Sequence, residues 1–125
     1  MSAIRFTKEH EWVRQEGDIV VIGITDYAQS QLGDVVYAEL PEIGRKVEQG
    51  KEAAVVESAK AASEVYAPIS GEVVAVNDAI VADPAKVNAD AMGEGWFIKI
   101  RLADPQQLDG LMDEQAYEAF VAEQH

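Results

Sequence analysis

The sequence contains no cysteine, which excludes disulfides, thiolate catalysis and cysteine-type zinc sites and leaves the redox compartment unreadable. Histidine is almost as scarce. Only His10 and His125 occur, the latter at the terminus, which leaves no clear serine triad and no multi-histidine metal site. Positive charge is also short: 10 Lys and Arg stand against 23 Asp and Glu, a formal net charge of −13. A chain this acidic is repelled by nucleic acid and by anionic membrane surfaces, so neither is expected as a partner. No run approaches the roughly 18 consecutive apolar residues of a membrane span. The opening Met1-Ser2-Ala3-Ile4-Arg5-Phe6-Thr7 has neither the apolar core of a signal peptide nor the length of an Arg-rich transit peptide. A soluble protein of the bacterial cytoplasm is the simplest reading, and a mature mitochondrial chain stripped of its presequence would read the same. There is no phosphate loop, since Gly93-Glu94-Gly95 is too short and precedes a strand. Carboxylates are numerous enough to pair by chance, so no glycosidase-like couple stands out.

What is present is one domain, residues 1–125, with 48% hydrophobic residues and enough length to bury a core without staples. Short alternating segments separated by Gly and Pro predict a mainly β fold, a small sandwich or flattened barrel with short helices and a C-terminal helix. Glu11-Trp12-Val13-Arg14 and Ile19-Val20-Val21-Ile22 read as a hairpin through Glu16-Gly17-Asp18. Thr25 as N-cap, Asp26 in the first turn and Gly33 as terminator predict a short helix burying Tyr27, Ala28 and Leu32. Asp34 to Leu40 alternates as a strand, Gly44 and Gly50 mark turns around Lys46-Val47, and Glu72 to Val76 resumes a strand. Asp83 caps one helical turn beginning at Pro84, Trp96 to Leu102 forms the last strand, and a helical tail spans about 104–123. In that tail Asp104 and Asp113 serve as caps, and Ala116, Tyr117, Phe120 and Val121 face the sandwich.

The chain centres on Val55-Val56-Glu57-Ser58-Ala59-Lys60-Ala61-Ala62-Ser63-Glu64-Val65-Tyr66, two strand-like runs about a small-residue middle whose only cation is Lys60. Gly50 lies ten residues before Lys60 and Gly71 eleven after, so paired turns bracket a hairpin of about 53–67 with the lysine at its tip. A lone lysine at a turn is ordinarily a solvated charge. Here alanines stand where a hairpin tip would normally use Asn-Gly or Asp-Gly, which leaves the ammonium open to a modifying enzyme and to an amide-linked cofactor.

Glu57-Ser58-Ala59-Lys60-Ala61-Ala62-Ser63 followed by Tyr66-Ala67-Pro68-Ile69-Ser70-Gly71-Glu72-Val73 resembles the lipoyl-attachment segment of the glycine cleavage system H protein family. His10-Glu11-Trp12-Val13, Gly23-Ile24-Thr25-Asp26-Tyr27-Ala28, Leu32-Gly33-Asp34-Val35-Val36, Glu39-Leu40-Pro41 and Gly93-Glu94-Gly95-Trp96 extend the resemblance over nearly the whole chain. The resemblance implies a barrel-sandwich lipoyl/biotinyl fold, lipoate on Lys60, and a non-catalytic carrier. Such a carrier takes an aminomethyl group from a pyridoxal-phosphate glycine decarboxylase and delivers it to a tetrahydrofolate-dependent aminomethyltransferase. A flavin dihydrolipoamide dehydrogenase reoxidises it, and lipoylating enzymes load it. It further implies that the loaded group folds back into a surface cleft near the His10-Glu11 segment, where Glu11 and Glu64 are the candidate carboxylates. The bland alternative, two solvated glutamates among many, stays open, as does His10 as an ordinary strand-edge residue.

Two departures stand out: Ala91-Met92 where the family often has Pro-Tyr, and Ala59 where it has valine. Competing readings are a lipoyl domain of a 2-oxo acid dehydrogenase complex, usually shorter and followed by an Ala/Pro linker, and an H-like carrier acting mainly in lipoate relay. A biotinyl carrier, whose lysine lies between methionines, and a Schiff-base enzyme, which needs a buried lysine of depressed pKa, fit less well. Glu57, three residues before Lys60, is the candidate recognition residue for lipoylating enzymes. Glu57→Gln is predicted to slow lipoylation while moving stability by no more than about 0.5 kcal/mol. A large fall in melting temperature with unchanged lipoylation would reverse that assignment.

Overall fold

The computed structural model describes residues 4–124, without the side chains of 105 and 124, so His125 and the first three residues lie outside the described residues. The chain runs β1 (Ile4–Phe6), β2 (Glu11–Glu16), β3 (Ile19–Ile24), α1 (Asp26–Leu32), β4 (Val35–Glu39), β5 (Lys46–Val47), β6 (Glu52–Ser58), β7 (Ala62–Tyr66) and β8 (Gly71–Val76). It continues with α2 (Asp78–Ala82), α3 (Ala85–Ala89), β9 (Ile98–Leu102), a 3-10 turn (Pro105–Gly110) and α4 (Glu114–Gln124). Six strands form one antiparallel sheet in the order β1-β2-β3-β9-β8-β5, and β4-β6-β7 form a second. The architecture is mainly β, two antiparallel sheets with short helices and a C-terminal helix, as the turn spacing predicts. No described helix is long and apolar enough to cross a membrane.

The period of two along β3 decides where the cores sit. Val20, Ile22 and Ile24 join Val13, Ile100, Val56 and Val65 in the main core between the sheets, whereas Val21 points to the other face beside Trp12. There, α4 covers the large sheet with Tyr117, and Phe6 stacks on the Tyr117 ring at 4.5 Å. Trp12 is fully buried, and its indole N–H donates to the Ala91 carbonyl at 2.9 Å. The Ala91-Met92 departure therefore keeps a backbone anchor that does not depend on the side chain at 91.

Several elements differ from the sequence reading. Helix α2 is missing from it: Asn77 accepts from Ala79 N, and its amide donates to the carbonyls of Glu94 and Trp96 at 2.7 and 2.8 Å. Asp83 ends α2 rather than capping α3, whose first turn has no side-chain cap. Asp104 and Asp113 do accept from Gln106 N and Ala116 N as expected. Ala116 is exposed, because Tyr117 alone among the four expected residues is buried, with Phe120 and Val121 half-buried. Trp96 and Phe97 precede β9 instead of opening it.

Gly71 is not a turn residue but the first residue of β8, paired with Leu102 of β9 and Val47 of β5. A Cβ there would collide with the Arg101 carbonyl and the Ile100 side chain, so the two strands approach only because the side chain is missing. Gly71→Ala should cost about 2 kcal/mol or more in denaturant unfolding. Gly110→Ala, where an added Cβ meets nothing within 4 Å, should stay within about 0.5 kcal/mol of the parent. Equal effects would show that the close approach does not constrain the sheet.

Candidate functional site

Lys60 sits where β6 turns into β7, and Ala59, Lys60 and Ala61 are all exposed. None of the three has positive φ, so the turn does not need the left-handed backbone that Asn-Gly tips supply. Ser58 closes it instead: its hydroxyl accepts from Lys60 N at 3.2 Å and Ala61 N at 3.1 Å, and its backbone N–H donates to the Ala61 carbonyl at 2.8 Å. Ala59 N donates to the Asp34 carbonyl at 3.2 Å, which ties the tip to the loop after α1. The lysine thus stands on a fixed base. Its stem runs past Gly33, where an added Cβ would lie 3.4 Å from Lys60 Cε, placing it at the C-terminal end of α1.

A cleft of about 280 Å³ lies between α1 and the lysine hairpin. Tyr27, Gln31 and Leu32 line it from α1, and Ser63, Glu64 and Val65 from the hairpin. The segment entering β2 adds Glu9, His10 and Glu11. The lining includes three carboxylates and no lysine or arginine. A larger groove of about 430 Å³ borders β5, β8 and β9, with Lys46, Glu72 and Arg101 in its wall, but none of its lining belongs to the hairpin. The smaller cleft, unlike the larger groove, is lined by residues of the lysine hairpin.

Glu11 is 2% exposed. Thr7 Oγ1 donates to its Oε1 at 2.8 Å and Tyr66 N to its Oε2 at 3.2 Å. Burial opposes the carboxylate form and outweighs both hydrogen bonds, so the pKa is pushed up to about 7. His10 is a half-buried residue with φ of 67°. Burial lowers its pKa while Glu9 pulls the other way. Glu64 is exposed on β7, and its hydrogen bond with the Tyr66 hydroxyl is the main cause of the raised Tyr66 pKa.

The structure therefore brings Glu11 and Glu64 to one cleft and places Lys60 at one end of the helix that borders it. Glu57 goes elsewhere. It is half-buried and opposite Tyr37 and Ala62, and because Val56 faces the cleft, Glu57 faces the outer side of the three-stranded sheet. Tyr27, expected among the buried residues of α1, is half-buried and lines the cleft with its ring 4.7 Å from His10. Glu9 and Gln31 were missed. Glu9 adjoins His10-Glu11, and Gln31 lies one helical turn beyond Tyr27, spacing that signals a shared helix face only once a wall is known to exist there.

A family model for Glycine cleavage H-protein matches residues 4–124. The Glycine cleavage system H protein of Parvibaculum lavamentivorans is 69% identical over 97% of this chain and 97% of its own length. That of Rhodospirillum rubrum is 63% identical over 98% of each. Among solved structures, a glycine cleavage system H protein from Mycobacterium marinum superposes with a TM-score of 0.89 at 34% identity, covering 96% of this chain and 97% of that one.

The buried Glu11 makes stability depend on pH. Its folded pKa lies above the ordinary glutamate value, so the folded state holds the proton more tightly, and the associated stability is present at low pH and lost as pH rises through about 7. His10, with a lowered pKa, contributes in the opposite sense, gaining stability as pH rises towards its ordinary value. Comparing the parent with Glu11→Gln separates them. Between about pH 5 and 8 the parent's melting temperature should fall relative to that of the variant, and parallel curves would contradict the buried-carboxyl assignment.

Proposed function

The chain belongs to the glycine cleavage H-protein family, and from that premise we propose that it is the lipoyl carrier of the glycine cleavage system, with lipoate amide-linked to Lys60. It receives an aminomethyl group at a pyridoxal-phosphate glycine decarboxylase and yields it at a tetrahydrofolate-dependent aminomethyltransferase, with dihydrolipoamide dehydrogenase completing the cycle. The chain itself is non-catalytic and works in the bacterial cytoplasm. The observation that carries the reading is spatial. Lys60 lies at one end of α1, and the carboxylate-bearing segment lies near the other, about 10 Å away for a seven-residue helix.

The residues present fit the cofactor. Attachment requires a primary amine that another enzyme can reach, and Lys60 is exposed between two exposed alanines. A folded-back chain requires apolar walls, which Ala28, Leu32 and Val65 provide. When attached, the dithiolane supplies the sulfur that takes up and gives back the aminomethyl group. Glu64 and Glu11 then supply acceptors for the protonated amine, each charge-assisted hydrogen bond contributing about 1.5–3 kcal/mol when desolvated. Because burial holds the Glu11 proton to about pH 7, an arriving cation favours its ionised form and displaces that proton. The cleft walls keep water from the carbon–nitrogen bond, whose hydrolysis would release ammonia and formaldehyde. Tethering also keeps the group near its next active site without free diffusion.

Protein co-expressed with a lipoylating enzyme should carry one adduct, mapped to Lys60, and Lys60→Arg should abolish it with the fold intact, since arginine offers no primary amine. An adduct on Lys46 or Lys51 would overturn the assignment. Protein loaded enzymatically and separated from the aminomethyltransferase should release ammonia several-fold faster in Glu11→Gln or Glu64→Gln than in the parent. Equal rates in all three would remove these carboxylates from the mechanism.

A further inference from the structure

The wall helix of the cleft is held at both ends by side chains from outside it. At the C-terminal end Asn88 of α3 accepts from Val35 N at 2.8 Å and donates to Gln29 Oε1 at 2.9 Å and to the Gly33 carbonyl at 2.8 Å. At the N-terminal end the work falls to Tyr117 of α4, a residue 7% exposed and absent from the cleft lining. Its hydroxyl lies 2.7 Å from Thr25 Oγ1, the cap of α1, and 2.8 Å from His10 Nδ1. Thr25 Oγ1 accepts from Ala28 N at 3.2 Å, which leaves the threonine proton available for Tyr117. If Thr25 donates to Tyr117, the Tyr117 proton is left for His10.

His10 is fixed in every other respect. Its N–H donates to the Thr7 carbonyl at 3.1 Å and its carbonyl accepts from Thr25 N at 2.9 Å, which holds the left-handed backbone in place. The ring packs against Tyr27 at 4.7 Å and Phe120 at 5.7 Å, with Tyr117 edge-on at 5.7 Å. What the hydroxyl adds is a choice of proton position, because an imidazole nitrogen that accepts a hydrogen bond is not free to take a proton.

We propose that Tyr117 is a positioning residue for the cleft: by donating to Nδ1 while accepting from Thr25, it holds His10 as the neutral Nε2–H tautomer. The consequence for carriage rests on the lipoyl-carrier reading. The groups facing the imidazole are Glu9 and Glu11 on its own segment, Tyr27 on α1, Tyr117 on α4 and Glu64 across the cleft. An imidazolium among those carboxylates would compete with the ammonium that they are placed to receive. Neutral His10 leaves the site anionic. The C-terminal helix, remote in sequence from Lys60, thus sets the charge at the far end of the cleft.

The test begins with nitrogen NMR of the imidazoles in unmodified protein, with His10→Gln assigning the His10 signals against His125. The parent should show an acceptor Nδ1 and a protonated Nε2 at neutral pH, and Tyr117→Phe, which keeps the ring stacked on Phe6, should mix the tautomers and raise the titration midpoint. A protonated Nδ1 in the parent, or an unchanged spectrum in the variant, would overturn the proposal. In lipoylated, loaded protein, Tyr117→Phe should speed ammonia release roughly fivefold, the effect of one ordinary hydrogen bond. In the His10→Gln background it should add nothing further, whereas multiplied rates would show that Tyr117 acts by general packing instead. If Tyr117→Phe proves too unstable to load, the parent spectrum still decides the tautomer. If the parent itself cannot be lipoylated, the carrier reading falls while the imidazole result stands.

Discussion

The carboxyl of Glu11 joins the two sheets of this fold. It projects from β2 of the six-stranded sheet, and Tyr66 N of the three-stranded sheet donates to it, while Thr7 satisfies its other oxygen. Burying an acid is costly unless its oxygens are bonded, and here the cost shows as a pKa near 7 rather than as an orphaned group. The same placement puts that carboxyl in the lining of the cleft. One residue therefore bonds the two sheets together and lines the cleft with an acid whose ionised form a neighbouring cation would favour.

The cleft depends in turn on α1, a seven-residue helix with no fully buried side chain. Helices this short gain little from propensity and rely on their surroundings. Ala28 and Leu32 pack against the main core, Asn88 ties one end, and the Thr25–Tyr117–His10 chain ties the other. The opposite wall is the lysine hairpin, whose tip is pinned to the Asp34 carbonyl just beyond α1. Lys60 is thus rooted in a rigid frame, the setting that the proposed tethered transfer calls for.

Much of the strand order was legible because the alternation and the turn residues agree, as in the β2–β3 hairpin through Gly17 and the Thr25 and Gly33 ends of α1. Lys60 was legible as an isolated cation in a small-residue setting. Other features were not, for physical reasons. Helix α2 is only five residues long, too short for a periodic signal. Ser58 closes the lysine turn through a hydroxyl that a sequence cannot orient, so the turn read as an alanine tip. Gly71 resembled a turn marker, although its missing side chain serves strand contact. Tyr117 read as core, which it is, but its hydroxyl meets His10 across 107 positions of sequence, a distance at which one sequence carries no pairing signal.

The central claim is that Lys60 and the carboxylates beyond it form the two ends of one site along α1. The most direct measurement is NMR of lipoylated protein loaded with a carbon-13-labelled aminomethyl group. The account predicts through-space contacts from the labelled carbon's protons to the rings of His10 and Tyr27. Contacts to the groove beside β5 and β8, or none to any ring, would contradict it.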